Sequence, residues 1–249
     1  MTPRNRTGAT LATAVAVALL TTGTALGDIA PLEAGSTTVV NGGSVVIEPV
    51  VWWADMGEYF GNGRAYVVPL QLPTLPGGTS FASADLAFVQ HGPGVHPVDG
   101  RTGFFGGSAP DYNIDLYGLD RIASIPDVLD VDHYSGPADP NATLLQDAFL
   151  DPSSPGDRTV IHTDAGGDTS LTAWLNTMYA NGANAGEYVF LRFNPDGPEG
   201  SLPWSGYELM TVIAGGADEK PVFSYTVTPE PSMLALLGLG AGVVLRRRR

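Results

Sequence analysis

The residues best equipped for chemistry in this chain are aspartates. Between Asp99 and Asp168 there are 13 Asp, no Glu and three Arg, set among Gly, Pro and Asn. Short carboxylate side chains suit turns, because they accept hydrogen bonds from neighbouring backbone amides. They also suit Ca²⁺, which takes about six to eight oxygens from loop carboxylates and carbonyls. Asp127, Asp130 and Asp132 fall close together, as do Asp111 and Asp115. Neither group follows the alternating Asp/Asn-then-Gly spacing of an EF-hand loop. Two readings stand for this stretch: solvated acidic turns, or a Ca²⁺ site on Asp127, Asp130 and Asp132.

Other chemistry is sparsely supplied. The four histidines are His91, His96, His133 and His162. His91 and His96 fall in a Gly/Pro stretch rather than on one helix face, and no His-Glu-x-x-His pattern offers a zinc set. Turn or surface positions are expected for all four. The absence of cysteine excludes disulfides, thiolate metal centres and a cysteine nucleophile. No Gly-x-Ser-x-Gly elbow presents a hydrolase serine, and Ser205 reads as a turn serine. The glycine-rich Gly103–Ser108 stretch lacks the lysine of a phosphate loop; it is expected to form turns around a buried Phe pair. Two carboxylates flanking a sugar bond hydrolyse glycosides, and 25 acidic residues lie between 28 and 228. An exported carbohydrate-active enzyme using an Asp pair is therefore the alternative to a non-enzymatic role.

The aromatic residues Trp52, Trp53, Tyr59, Phe60, Tyr66, Trp174 and Trp204 are numerous enough for a sugar-stacking platform. Trp204, in a Pro-Trp-Ser-Gly segment, is the candidate ligand-binding aromatic. Trp174 reads as core. Trp52 and Trp53, adjacent on one strand, must point to opposite faces, which puts one of them inside.

The elements that position these residues are short and mostly extended. The 32 Gly and 20 Pro punctuate stretches rich in Val, Ile, Phe, Tyr and Trp, which predict strands at 37–40, 44–53, 64–72, 82–90, 112–117, 187–194, 207–213 and 221–228. Leu171, Trp174, Leu175, Met178 and Tyr179 fall on one helical stripe. Asp168 or Thr169 caps its start and Gly182 ends it. A second, shorter helical turn is expected from Thr143 to Leu150. The fold class is mostly β: a jelly-roll-like β-sandwich with one or two short packed helices, forming one domain over 28–228. That region holds 6 basic and 25 acidic side chains, a formal charge of −19. Such a surface repels phosphate backbones, so no nucleic-acid partner is expected.

Both termini look like addresses. Arg4 and Arg6 precede an apolar run from Ala9 to Leu20, and Ala25-Leu26-Gly27 supplies a small-residue cleavage site. This is the tripartite pattern of a signal peptide over 1–27. At the other end, Pro229-Glu230-Pro231 leads into the apolar stretch Met233–Leu245 and then Arg246, Arg247, Arg248 and Arg249. A helix of that length spans about 20 Å against a hydrocarbon core of about 30 Å. With arginines holding its end at the cytoplasmic face, it can enter a membrane transiently but anchors weakly.

This tail, 229–249, resembles the PEP-CTERM sorting signals of Gram-negative bacteria. The resemblance implies recognition by a membrane exosortase, transient inner-membrane insertion of a short hydrophobic helix, cleavage near Pro-Glu-Pro, and release or attachment at the cell surface. A second resemblance lies inside the domain. Arg64–Pro73, the Pro76-Gly77-Gly78 turn and Ala82–Phe88 are similar to DNRLRE-type and related carbohydrate-binding jelly rolls. Asn113–Leu119, Tyr188–Asn194 and Pro221–Val227 fit later strands of such domains. The acidic–Arg string that names the group is absent. Together these features imply an exported, exosortase-processed cell-surface or extracellular-matrix protein, non-enzymatic, with exopolysaccharide as its partner.

Overall fold

The computed structural model describes residues 25–27, 32, 36–41, 44–50, 52–59, 62–92, 104–106, 110–126, 142–195, 205–214 and 216–229. The strands are β1 (Ala25–Gly27), β2 (Ser36–Asn41), β3 (Ser44–Pro49), β4 (Trp53–Tyr59), β5 (Asn62–Gln71), β6 (Thr79–His91), β7 (Phe104–Gly106), β8 (Ile114–Ala123), β9 (Ala142–Leu150), β10 (Val160–His162), β11 (Tyr188–Pro195), β12 (Ser205–Met210) and β13 (Val222–Pro229). The helix α1 spans Ala165–Ala180. Every strand pairing is antiparallel.

The hydrogen-bonded order runs β1-β13-β6-β12-β4-β5-β11-β8-β9, a sheet curled into a β-sandwich. β6 makes the corner. Residues 79–87 pair with β13 and 87–89 with β10, while Gln90 and His91 pair with β12. A long strand that passes from one sheet into the other is how a folded-over sheet turns a corner.

Alternation fills the interior. In β13 Phe223, Tyr225 and Val227 are buried while Val222, Ser224 and Thr226 face outward. In the core, Phe88 meets Phe193 edge-on at 4.9 Å, Phe149 lies 5.2 Å from Phe193, and Tyr66 stacks on Phe193 at 5.8 Å. Such offset and edge-on contacts suit the ring quadrupoles and add to the area buried.

The helix packs on β6, β9 and β8 through Leu171, Trp174, Leu175 and Met178, the predicted stripe. Its cap lies earlier than the sequence suggests. Asp164 accepts the Gly167 N–H at 2.7 Å, whereas Asp168 sits in the first turn and takes the Thr163 hydroxyl at 2.5 Å. At the other end Gly182 has φ +98°, as a chain leaving a helix requires.

Several expectations are corrected. Thr143–Leu150 is not helical but belongs to β9, paired with β8. Leu145 and Phe149 are four apart, a spacing that puts two side chains on one side of a helix or of a strand, and β8 supplies the ladder that decides. The 44–53 segment is two strands, β3 and β4, divided after Pro49. The last residues of 207–213 form a turn after β12. Phe104–Gly106 is a strand rather than a glycine turn. Trp52 precedes β4 in a bend, so strand alternation does not govern the Trp pair: Trp52 is 56% exposed and Trp53 40%.

Candidate functional site

Strand register builds a polar row. Asp55 of β4 lies opposite Glu208 of β12, and Glu208 lies opposite His91 of β6. Residues directly opposite share a face. This is the outer face, because their neighbours Ala54, Met56, Tyr207 and Leu209 point into the core. Arg64 of β5 reaches Asp55 at 2.9 Å. At the far end of the row Asp157 approaches His91 Nδ1 at 3.5 Å and accepts the Gly92 N–H at 3.1 Å. The loop carrying Asp157 is laced to β6: Gln90 accepts from Arg158 N–H and Gly156 N–H and donates to Thr159.

Aromatic rings lie beside this row. Trp53, two positions from Asp55, sits over the His91 ring with centroids 4.9 Å apart and planes tilted by 35°. The Thr211 N–H donates to Trp52 O at 2.9 Å, tying Trp52 to the exit of β12. With Ile213 also exposed, an apolar surface borders a polar cluster.

Burial sets the charges. Glu208 is 5% exposed; desolvation first, then the charge of Asp55 and a hydrogen bond with it, push the Glu208 carboxyl up to about 9. Glu208 is thus a neutral acid at neutral pH, able to donate. Burial also holds His91 below its ordinary value, against the pull of Asp157. The 3.8 Å approach of His91 Nε2 to Glu208 is therefore a contact between neutral groups, and Asp55–Arg64 is the ion pair of the site. Asp55 and Glu208 touch, whereas carboxyls that flank a glycosidic bond stand about 5–9.5 Å apart. The pair is arranged to hold a proton.

Elsewhere, His162 Nδ1 lies 3.2 Å from Asp85, and the Ser224 hydroxyl reaches the same carboxylate at 3.5 Å. Serine and histidine meet the aspartate rather than each other, which is not a nucleophile–base arrangement. The buried Arg192 lies 5.1 Å from the Tyr117 ring. A cleft of about 470 Å³ opens between the β5–β6 turn and the end of α1, lined by residues that include Leu75, Gly77, Thr79, Asn176 and Tyr179 and by no charged side chain.

Of the residues singled out from sequence, Asp127, Asp130, Asp132, Trp204, His96 and His133 lie outside the described residues, as do Glu230, Pro231, Met233–Leu245 and Arg246 to Arg249. Pro229 is the last residue of β13. Among the described residues no group of three or more His, Asp or Glu side chains is arranged to hold a metal ion. None of their helices is long and apolar enough to cross a membrane. His91 is not a turn or surface residue but a half-buried end of β6. Asp55, Arg64 and Glu208 were not anticipated; the signal available was a charged residue inside an otherwise apolar strand, as in Tyr207-Glu208-Leu209.

The description "PEP-CTERM protein-sorting motif" matches residues 227–249. That motif implies recognition by an exosortase and export to the cell surface. A comparison with curated proteins gives no match.

Proposed function

We propose that this exosortase-targeted protein is a non-enzymatic component of the cell surface or extracellular matrix that binds exopolysaccharide through Trp52 and Trp53. The observation that carries the reading is the exposure of both tryptophans next to the Asp55–Arg64–Glu208–His91 row. Aromatic faces cover the apolar side of a sugar ring, and polar groups beside them meet its hydroxyls. Because the domain is strongly acidic, a neutral polysaccharide fits better than a uronate-rich one.

Pull-down on neutral and anionic polysaccharides, with and without Ca²⁺, tests this. Retention on a neutral polymer that Trp52→Ala and Trp53→Ala reduce several-fold, with folding unchanged, is expected. Retention on no polymer, or equal retention of the variants, overturns the binding role.

A further inference from the structure

The sorting tail leaves the domain without a spacer. β13 is paired with β6 to its last residue, Pro229 opposite Thr79, and the sorting motif covers 227–249. Only Glu230, Pro231 and Ser232 separate Pro229 from the apolar stretch that begins at Met233. Four Cα steps span no more than about 14 Å. A tail inserted from Met233 onward therefore brings one end of the sandwich up to the lipid.

That end is defined by named residues. Thr79 opens β6 directly after the Pro76–Gly78 turn, and the same turn forms one wall of the uncharged cleft whose other wall is the end of α1. Glu187, beside this cleft, accepts the Asn184 N–H at 2.7 Å. In a domain of formal charge −19, a cleft lined by no charged side chain meets anionic lipid with less repulsion than a charged one.

We propose that the β5–β6 turn and the end of α1 form the face laid against the lipid surface while the sorting tail is inserted. This rests on the exosortase-target reading and not on polysaccharide binding. The opposite end, with the exposed Ala217 turn before Val222, is held away by the length of β13, about 23 Å at the usual rise of a strand.

The chain lacks cysteine, so a single introduced thiol carries a unique label. A side chain at Gly77 meets nothing within 4 Å, which makes Gly77→Cys sterically free; Ala217→Cys is the distal control. Each labelled full-length chain is mixed with phosphatidylethanolamine–phosphatidylglycerol vesicles carrying a headgroup quencher, and flotation is scored alongside. The expected result is flotation of both, several-fold stronger quenching at position 77 than at 217, and loss of both signals in a chain ended after Pro229. Equal quenching at the two positions in floating protein overturns the assigned face alone. Failure to float overturns tail insertion and the face with it. Photo-crosslinking from position 77 to exosortase instead of lipid, in membranes containing the enzyme, overturns lipid as the occupant.

Discussion

Glu208 and Asp55 sit directly opposite each other on β12 and β4 and share a hydrogen bond, with Arg64 paired to Asp55 at 2.9 Å. Two carboxyls at that separation cannot both ionise cheaply in a buried place, and the one with less solvent keeps its proton. Glu208 is that one.

The pH dependence follows from the raised Glu208 carboxyl, from 4.5 to about 9. The folded state holds a proton that the unfolded chain releases, so this group's contribution is complete below its ordinary range and is lost as pH rises through the folded value. Glu208→Gln, uncharged at every pH, is expected to melt like the parent in acid and increasingly above it toward alkaline pH. The gap is expected to open above the ordinary carboxylate range and to widen until the folded value is passed. Melting midpoints of the two proteins across that range check it; a gap independent of pH contradicts a buried neutral Glu208.

Gly118 of β8 lies beneath Trp174 of α1. A Cβ there would stand 2.4 Å from the indole, so only glycine lets helix and sheet approach this closely. Gly118→Ala is expected to cost about 1–3 kcal/mol through overpacking. Shrinking the neighbour should return part of it: Gly118→Ala with Trp174→Leu falls short of the summed single effects by at least about 0.5 kcal/mol. Strict additivity by chemical denaturation would remove this contact as the cause.

The helix cap is a third point. Asp164→Ala removes the acceptor of the Gly167 N–H and is expected to cost about 1 kcal/mol, while Asp164→Ser retains most of the stability. Thermal melts that rank serine no better than alanine would move the cap elsewhere.

The boundary between domain and tail is equally sharp. A chain ended after Pro229 keeps every β13 pairing with β6, and its midpoint is expected to match the full chain's. A chain ended after Ser224 loses the buried Tyr225 and Val227 and is expected to lose its near-ultraviolet dichroism. A large fall in stability on removal of the tail alone would show that the tail belongs to the fold.

How much was legible in the sequence depends on how local each signal is. The sorting tail was readable because Pro-Glu-Pro, an apolar run and an arginine cluster follow one another in the chain. The β-rich class and α1 were readable because periods of two and of 3.6 residues are local patterns. The 143–150 segment was not, since Leu145 and Phe149 satisfy both periods until β8 supplies a partner. Trp52 and Trp53 were placed by a rule for strands, and the bend at Trp52 took them out of its reach.

From the sequence alone came the address, the acidic surface, the exclusion of thiol chemistry, the β-rich class and the buried face of α1. Tertiary structure alone decided that Asp55, Glu208 and His91 form a row, that Trp53 covers the last of them, and that the tail exits beside the β5–β6 turn. Cross-strand register joins residues far apart in the chain, and shifting it by one position would send the whole row to the other face. No local pattern carries that information; the packing of the two sheets around Phe88 and Phe193 does.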